Sequence, residues 1–287
     1  MKKLVALLLV LALVLSGCNS KEGEEETTIE DSEETKDANN EETVDGDDSL
    51  QKVLDKGVLV LGTSADYPPY EFSALIDGKD EIVGFDIELA KYIAEQLDVD
   101  LEIKDMDFKT LIGAVNSGMV DIVIAGMNPD PSRDINFSDT YYHSTHSMIV
   151  KKEDQNKYAS NDEVKGIKVG TQMGSMQEKI AEELEDVEVA SVTSIVNLVL
   201  EMKAGKYDGI IVETPVAESY VEANEDLAVA ENVQFETEET GAAVGMKKGA
   251  DALTKKVNEI IAEVLDQDLL DQWIVEANEL KDEAGIE

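Results

Sequence analysis

Between residues 58 and 125, short apolar runs alternate with segments of helical periodicity. Short apolar runs that end at glycine or polar residues predict buried strands, here at 58–61, 101–103 and 120–125. Apolar positions three or four residues apart predict helices at 87–97 and 111–115, the first with Asp86 as its N-cap.

The alternation restarts in the second half of the chain. Strands are predicted at 167–169, 187–192 and 210–212, and helices at 176–184, 195–202 and 216–221. Two such series predict an α/β protein with two lobes, each built on a mainly parallel sheet flanked by helices. Ligands of such sheets bind beyond the carboxyl ends of the strands, so a cleft between the lobes is the expected site.

Two long extended segments, 141–150 and 241–246, are the predicted connections between the lobes. If both cross, the first lobe is discontinuous. It then comprises residues 49–143 and 239–287, and the second lobe comprises 144–238. Helices are predicted again from Asp251 onward.

Residues 1–18 form a predicted lipoprotein signal peptide. Two lysines precede a twelve-residue apolar run at 4–15, which is shorter than the roughly 20 apolar residues that span a bilayer. The run ends in the tetrapeptide LSGC, which resembles a bacterial lipobox and contains the only cysteine, Cys18. We expect lipidation of Cys18; the alternative is an ordinary signal peptide with an incidental cysteine.

The composition of residues 19–48 predicts an acidic, disordered tether. They contain fourteen Asp or Glu residues and two Lys, a composition that cannot bury enough apolar surface to fold. An acidic recognition tail is the alternative. The signal peptide contributes +2 and the tether −12 to the net charge of −40, which leaves −30 on residues 49–287. Such a surface argues against a nucleic-acid partner, because phosphate binding needs clusters of Lys and Arg.

Two charged residues follow predicted strands. Arg133, the only arginine among 24 Lys and Arg residues, comes after a proline-rich turn. A guanidinium can form two parallel bonds to a carboxylate, which lysine cannot do; the alternative is a surface arginine paired with Asp134 or Asp139. Glu213 directly follows the last predicted strand and is a candidate to bind the ammonium group of a ligand; the alternative is a solvated carboxylate.

Aromatic residues are candidates for the walls of the same site. Tyr67 and Tyr70 flank two prolines after the first strand, and Phe108 follows the second; core or lid packing is the alternative role. The only histidines, His143 and His146, fall on opposite faces of an extended strand, so a shared metal is not expected. No phosphate loop, nucleophile elbow or Cys/His cluster occurs, and we expect neither a cofactor nor enzyme activity.

Several motifs occur in a distinctive order: GTSADYPPYEF at 62–72, GFDIELA at 84–90, MDF at 106–108, DIVIAGM at 121–127, Arg133, and FSDTYY at 137–142. Together they resemble the bacterial extracellular solute-binding proteins of family 3, which bind polar amino acids for ABC importers. The resemblance covers nearly all of residues 50–280. It implies a type II periplasmic-binding-protein fold, in which two lobes joined by two crossover segments close on the ligand.

The resemblance also implies roles for single residues. Arg133 matches the arginine that binds the ligand carboxylate, and Glu213 stands where the family usually places an aspartate for the ammonium group. Tyr67 and Phe108 match the aromatic pair on either side of the ligand side chain.

Further positions match the family's ligand-binding loops. Gly126 and Asn128 lie where the ligand carboxylate is contacted, with Asn in place of the usual Ser or Thr. Ser175 and Met176 match a second-lobe loop that offers backbone N–H groups, and only the main chain of Met176 is carried over. Gln172 belongs to the same candidate set.

Four further residues bear on the identity of the ligand. Ser64 stands where some lysine- and histidine-binding relatives have an aspartate. Asp66 or Glu71 are candidates to replace it, with Tyr70 beside them, and an acidic, aromatic loop favours a basic amino acid over an uncharged one such as glutamine. The implied function is the capture, outside the cytoplasm, of a polar amino acid for an ABC permease, with a basic amino acid favoured. The alternatives are a cyclohexadienyl dehydratase-like enzyme and an amino-acid sensor.

Overall fold

The computed structural model describes residues 46–236 and 241–284, the last two of these by their backbone only. The predicted signal peptide, Cys18 and most of the predicted tether lie outside the described residues, as do residues 237–240. Within the described part, no helix combines the length and the apolar character that crossing a bilayer requires.

The first stretch of the chain builds most of the first lobe. Its elements are α1 (Ser49–Lys56), β1 (Val58–Thr63), β2 (Asp66–Tyr67), β3 (Glu71–Ile76), β4 (Lys79–Val83), α2 (Phe85–Gln96), β5 (Asp100–Asp105), α3 (Leu111–Ser117), β6 (Ile122–Val123) and β7 (Ile135–Tyr142).

The second lobe follows, and the chain then returns to the first. The second lobe contains β8 (His146–Lys151), β9 (Lys168–Gln172), α4 (Met176–Glu183), β10 (Glu188–Val192), α5 (Ile195–Lys203), β11 (Gly209–Glu213), α6 (Thr214–Ala223) and β12 (Leu227–Phe235). The returning segment adds β13 (Ala242–Lys247), α7 (Asp251–Asp266) and α8 (Leu269–Ala284).

Each lobe has its own five-stranded sheet. The strand orders are β5-β1-β6-β13-β7 in the first lobe and β10-β9-β11-β8-β12 in the second. One strand in each sheet, β13 in the first lobe and β8 in the second, is antiparallel to its neighbours. The other four strands of each sheet run in the same direction. The expected pair of mainly parallel sheets, flanked by helices in two lobes, is therefore confirmed.

The apolar strands are buried on both faces, which explains their unbroken hydrophobic runs. In β1, Leu59 and Leu61 pack in the cluster that includes Ile87 of α2, whereas Val60 packs on the opposite face with Leu111 of α3. Of these five side chains, four are completely buried and Val60 is 7 % exposed.

Several local expectations need correction. The helix α2 has Gly84 as its N-cap, and Asp86 lies inside the first turn, fully buried. The strand expected at 120–125 is limited to β6. No strand was expected in the small sheet β2-β3-β4, whose hairpin turns at Asp77 and Gly78 with positive φ angles of 51° and 77°. Its outer strand is mostly exposed, so it lacks the apolar run that marks a buried strand.

The folded part also begins before the expected end of the tether. The Asp47 carboxylate accepts the N–H of Ala252 at 2.5 Å and that of Ser49 at 2.8 Å. These bonds connect the start of α1 to the start of α7, so the last residues assigned to the tether take part in the fold.

Candidate functional site

The candidate residues lie where the two lobes meet, at or beyond the carboxyl ends of strands. All twelve are within the described part of the chain: Ser64, Asp66, Tyr67, Tyr70, Phe108, Gly126, Asn128, Arg133, Gln172, Ser175, Met176 and Glu213. Eleven are buried and Asp66 is half-buried. Glu213 and Gln172 are the last residues of β11 and β9, which is where a ligand of a parallel sheet is expected.

Glu213 is the buried anion of the second lobe. It is completely inaccessible to solvent. Its Oε2 accepts the hydroxyl of Tyr70 and that of Ser144, the latter at 2.7 Å, and its Oε1 accepts Nδ2 of Asn128 at 3.0 Å. Burial raises the pKa of Glu213 above its usual value, although these donors oppose the shift. The alternative of a solvated carboxylate is therefore wrong.

Arg133 is the buried cation of the first lobe, only 9 % exposed. Its Nη1 donates to the carbonyl of Asn128 at 3.2 Å, and its Nη2 donates to the carbonyl of Gly174 in the second lobe at 2.9 Å. Its Cζ lies 5.6 Å from the centre of the Phe108 ring. The alternative of a surface arginine is wrong, because the side chain is buried.

Asp130 is the acidic neighbour of Arg133, in place of the expected Asp134 or Asp139. Its Oδ2 lies 3.7 Å from Arg133 Nε and also pairs with Lys179 of the second lobe. Burial opposes ionisation of Asp130, but the hydrogen bonds from Lys179 and Ser132, together with the charge of Lys179, outweigh it and lower the pKa to about 2. Lys179 thus supplies a second cation to the carboxylate that faces Arg133.

Asn128 connects the two charged residues. Its carbonyl accepts Arg133 Nη1, and its Nδ2 donates both to Glu213 Oε1 and to the carbonyl of Gly241, each at 3.0 Å. The residue is almost completely buried. One side chain of the first lobe therefore contacts the anion of the second lobe and the segment that returns from it.

Tyr67 forms a further contact between the lobes. Its hydroxyl accepts the Glu213 N–H at 3.1 Å and Nε2 of Gln177 at 3.0 Å. Its ring lies over Gly126, where an added Cβ would be 3.1 Å from the ring carbons. Gly126 has a φ of +53°, a conformation that glycine adopts without strain.

Asp66 contacts the second lobe through its carboxylate. Its Oδ2 accepts the Ile195 N–H at the start of α5 at 2.8 Å, and Gln172 Nε2 lies 3.5 Å from Oδ1. The carbonyl of Asp66 accepts the hydroxyl of Tyr220 at 2.9 Å. Burial raises the pKa of Asp66 to about 6, even though the backbone bond opposes the shift.

The loop before α4 has a structural explanation of its own. Ser175 caps α4 by accepting the Glu178 N–H at 3.2 Å, while Glu178 accepts the Gly174 N–H at 2.6 Å. The side chain of Met176 packs in the core of the second lobe, which agrees with carrying over only its main chain. This cap fixes the Gly174 carbonyl that receives Arg133.

The remaining candidates have distinct environments. Ser64 is buried, and its carbonyl accepts the Asp66 N–H at 2.8 Å. Tyr70 is completely buried and packs against Phe85, with ring centres 4.5 Å apart. Glu71, considered as an acid for a cationic ligand, is also completely buried. No sequence pattern pointed to Ser144, Gln177, Lys179 or Tyr220, because each meets its partner only after folding.

Comparison with known proteins gives a consistent result. The profile described as bacterial extracellular solute-binding proteins, family 3, matches residues 59–276. The arginine-binding extracellular protein ArtP of Bacillus subtilis is 40 % identical over 222 residues, which is 76 % of this chain and 84 % of that protein. The ABC transporter arginine-binding protein 1 of Escherichia coli is 31 % identical over 221 residues, covering 74 % and 88 % of the two chains.

A solved structure extends the comparison to three dimensions. The ABC transporter substrate-binding protein AbpA of Streptococcus pneumoniae, bound to L-arginine, superposes with a TM-score of 0.77 at 37 % identity. The match covers 80 % of this chain and 98 % of that one.

Proposed function

Because this chain belongs to the bacterial extracellular solute-binding proteins, family 3, we propose that its ligand is arginine, bound between Arg133 and Glu213. The chain is a substrate-binding protein of an ABC transporter that captures a polar amino acid outside the cytoplasm. Arginine is the ligand named for the two curated relatives and for the solved structure described above.

One observation carries the proposal. A buried guanidinium of the first lobe and a buried carboxylate of the second contact the same residue, Asn128, through its carbonyl and its Nδ2. A free amino acid has one charge of each sign on two groups bonded to the same carbon, so two opposite charges so close together fit its carboxylate and ammonium groups. Isolated buried charges are costly, and matched pairs are the arrangement in which they persist.

In this proposal Arg133 binds the ligand carboxylate. Among the described residues, hydrogen bonds to two carbonyls account for two of its five N–H groups. Asn128 and the Gly126 backbone lie on the same loop and complete the carboxylate site. Glu213 accepts the ligand ammonium, with Asn128 Nδ2 giving up its bond to Oε1.

The ligand side chain lies between Tyr67 and Phe108 in this proposal. Aromatic faces favour the alkyl part of arginine and attract its cationic end. Asp66 is the proposed anion for that end, since it is half-buried at the lobe junction beside Gln172. Glu71 is not proposed for this role, because it is completely buried beneath the same loop. Ser64, Tyr70, Ser175 and Met176 support the loops that carry these contacts.

Closure of the two lobes is the proposed mechanism. The ligand first binds the lobe that carries Arg133. The second lobe then rotates about the two connecting segments, predicted at 141–150 and 241–246, until Glu213 reaches the ammonium group. The contacts of Tyr67, Asp66 and Asp130 with the second lobe stabilise the closed form. We further propose the lobe boundaries 49–143 with 239–287, and 144–238.

The test is a thermal-shift screen of the purified domain, residues 46–287, against the twenty amino acids, followed by calorimetry. A ligand that binds only the folded state raises the melting temperature. We expect arginine to give the largest shift, lysine and histidine smaller ones, and glutamate none. A largest shift with an uncharged amino acid contradicts the arginine assignment, and conversion of prephenate or arogenate by the same preparation contradicts a pure binding role.

We also propose that Cys18 is lipidated and anchors the protein at the outer face of the cell membrane. The apolar run at 4–15 and the tetrapeptide at 15–18 support this proposal. The acidic residues 19–45 then separate the lipid from the folded domain, and an ABC permease in the same membrane receives the amino acid.

A further inference from the structure

Two carboxyl groups are completely buried beneath the proposed ligand site. Glu71, the first residue of β3, and Asp86, in the first turn of α2, both have no solvent exposure. Neither belongs to an ion pair of the described residues. The two Glu71 oxygens accept no hydrogen bond from a described donor. A buried carboxylate without cation or donor is strongly disfavoured, so Glu71 must carry a proton.

The surroundings of Glu71 reinforce this conclusion. The charged groups that act on it are Asp86, Asp66 and Glu213, all acidic. Burial and then the neighbouring Asp86 raise the pKa of Glu71 well above its ordinary value. The Asp86 N–H donates to the carbonyl of Tyr70, the residue before Glu71, at 2.9 Å, which makes the two acidic residues neighbours. Two neighbouring buried carboxyl groups without a cation retain one proton between them.

Asp86 is the member of the pair that takes the negative charge. Its Oδ1 accepts the hydroxyl of Tyr141 at 2.7 Å, and its Oδ2 accepts the N–H of Gly126 at 2.8 Å. It also lies in the first turn of a helix, where the backbone dipole favours an anion. Glu71 has no comparable donors among the described residues, so the proton resides on Glu71 and points to Asp86.

The Gly126 peptide is consequently fixed from two sides. Asp86 accepts its N–H from one side, and the Tyr67 ring lies so close on the other that a Cβ would be 3.1 Å away. The next residue, Met127, accepts the Ala243 N–H at 3.0 Å through its carbonyl. Asn128 follows directly, so the position of this loop determines where its amide meets Glu213.

We propose that Glu71 and Asp86 share one proton and act as positioning residues, fixing the Gly126–Asn128 loop that receives the carboxylate of the ligand. The role of this loop in binding the ligand carboxylate rests on the proposed function. The shared proton and the fixed peptide are properties of the ligand-free protein. Glu71 supplies a donor to Asp86, and Asp86 directs its remaining lone pairs to Gly126 and Tyr141.

The first experiment detects the proton directly. Infrared spectra of the ligand-free protein near neutral pH are recorded for the wild type, Glu71→Gln and, as control, Glu81→Gln, which removes an exposed carboxyl from β4. We expect the carbonyl band of a protonated carboxyl in the wild type and Glu81→Gln, and its loss in Glu71→Gln. Absence of the band in the wild type, or its survival in Glu71→Gln, overturns the proposal.

The second experiment separates positioning from stability. Glu71→Gln retains a donor to Asp86, whereas Asp86→Asn places an N–H₂ group against either Gly126 N–H or Tyr141 O–H. Loss of a charged hydrogen bond in a buried site predicts at least about tenfold weaker arginine binding for Asp86→Asn. Glu71→Gln is expected to change the affinity by less than about threefold, and equal losses in the two variants contradict the assigned roles.

Tyr141→Phe provides a matched structural control, because it removes the other donor to Asp86 and leaves the Gly126 bond intact. We expect it to lower the melting temperature with less than about a threefold change in affinity.

If Asp86→Asn does not fold, amide hydrogen exchange of Gly126 replaces it as the readout. Strong protection of this amide in the wild type and in Glu71→Gln supports the proposal, and rapid exchange overturns it. A wild-type protein that shows the band and the protection but binds no arginine contradicts the proposed function alone.

Discussion

The side-chain nitrogen Nδ2 of Asn128 in the first lobe lies 3.0 Å from the Oε1 atom of Glu213 in the second. Asn128 is 4 % exposed and Glu213 is completely buried, so water does not screen this contact. The same asparagine receives Arg133 through its carbonyl. A single residue therefore relates the position of the anion to the position of the cation.

Neutralising the anion is expected to separate binding from stability. Glu213→Gln keeps an acceptor for Asn128, and the hydroxyl groups of Tyr70 and Ser144 can rotate to accept from the new amide. Because a buried charge is removed, the free energy of unfolding of the ligand-free protein should change by less than about 1 kcal/mol or increase. Arginine affinity should fall at least about tenfold, since the ammonium group loses its counter-charge.

Calorimetry and urea unfolding of the same Glu213→Gln preparation check the two parts. Unchanged affinity in a stably folded variant would remove Glu213 from the site. A large loss of stability would instead show that its charge supports the fold of the ligand-free protein.

Replacing the cation tests whether the site requires a planar fork. Arg133→Lys retains the charge but cannot make two parallel bonds to a carboxylate. We expect both Arg133→Lys and Arg133→Ala to weaken arginine binding by at least about tenfold, as is usual when one member of a buried charged pair is truncated. Lys79→Ala removes the same charge from an exposed position on β4 and should leave the affinity unchanged. Wild-type affinity in Arg133→Lys would refute the requirement for a guanidinium.

The buried carboxyl groups predict higher stability of the ligand-free protein in mild acid. Burial raises the pKa of Asp66 and of Asp86 to about 6, above their values in the unfolded chain. The stability linked to these groups is therefore fully present below the unfolded pKa and is lost as the pH rises through about 6. His146 acts in the opposite direction, since burial lowers its pKa to about 4 and the folded state disfavours its charged form.

The stabilising effect of several carboxyl groups on acidification should exceed the destabilising effect of one histidine. The melting temperature should therefore rise as the pH is lowered from about 7.5 to about 5. Asp66→Asn should reduce this rise, since asparagine keeps an acceptor for the Ile195 N–H but does not titrate in this range. Thermal unfolding across the pH range provides the measurement. A steady fall of the melting temperature on acidification, identical in both proteins, would show that His146 dominates.

Removing the hydroxyl of Tyr67 should weaken ligand binding through lobe closure. Tyr67→Phe leaves the Glu213 N–H and the Gln177 amide without this acceptor. An unsatisfied buried donor costs about 1–3 kcal/mol, so the dissociation constant should increase about fivefold or more. Small-angle scattering with saturating arginine should show a larger fraction of open protein.

Tyr92→Phe is the matched control for this substitution, since it removes a hydroxyl that donates to the exposed Glu263 in the first lobe. We expect Tyr92→Phe to bind and close as the wild type does. Equal affinities for Tyr67→Phe and Tyr92→Phe would indicate that the Tyr67 hydroxyl contributes nothing to closure.

Substitution of the single cysteine tests the proposed anchor. In cells that express the full chain, Cys18→Ala should move the protein from the membrane fraction to the medium or periplasm, because the variant has no thiol to carry the proposed lipid. Fractionation and metabolic labelling with a fatty acid provide the readout. Retention of Cys18→Ala in the membrane fraction, without label in the wild type, would contradict lipidation.

Local patterns were sufficient for the repeated strands and helices. Leu59 and Leu61 are recognisable as a strand because both faces of β1 are buried, so the apolar run is unbroken. The hairpin β3-β4 was missed although Asp77-Gly78 is a common turn, because half of its side chains are exposed and its hydrophobic pattern is weak.

The two charged residues of the candidate site were also predicted from the sequence. Arg133 and Glu213 follow strands of different lobes, and topology brings the carboxyl ends of parallel strands to one edge of each sheet. Their environments were not predictable. The expected partners of Arg133 were Asp134 and Asp139, whereas the structure places Asp130 beside it, 3.7 Å from Nε.

Hydrophobic periodicity and residue chemistry act over a few positions. The amino-acid sequence alone was therefore enough to predict the two α/β series, the single guanidinium and the loops that bear the candidate residues. The contacts between carboxyl groups and their donors depend on the folded arrangement: Glu213 with Asn128, Asp66 with Ile195, and Asp86 with Gly126. These partners are 40 to 129 residues apart in the chain. Burial then fixes each protonation state, because the free energy of a charge depends on the neighbours that folding supplies and not on its neighbours in sequence.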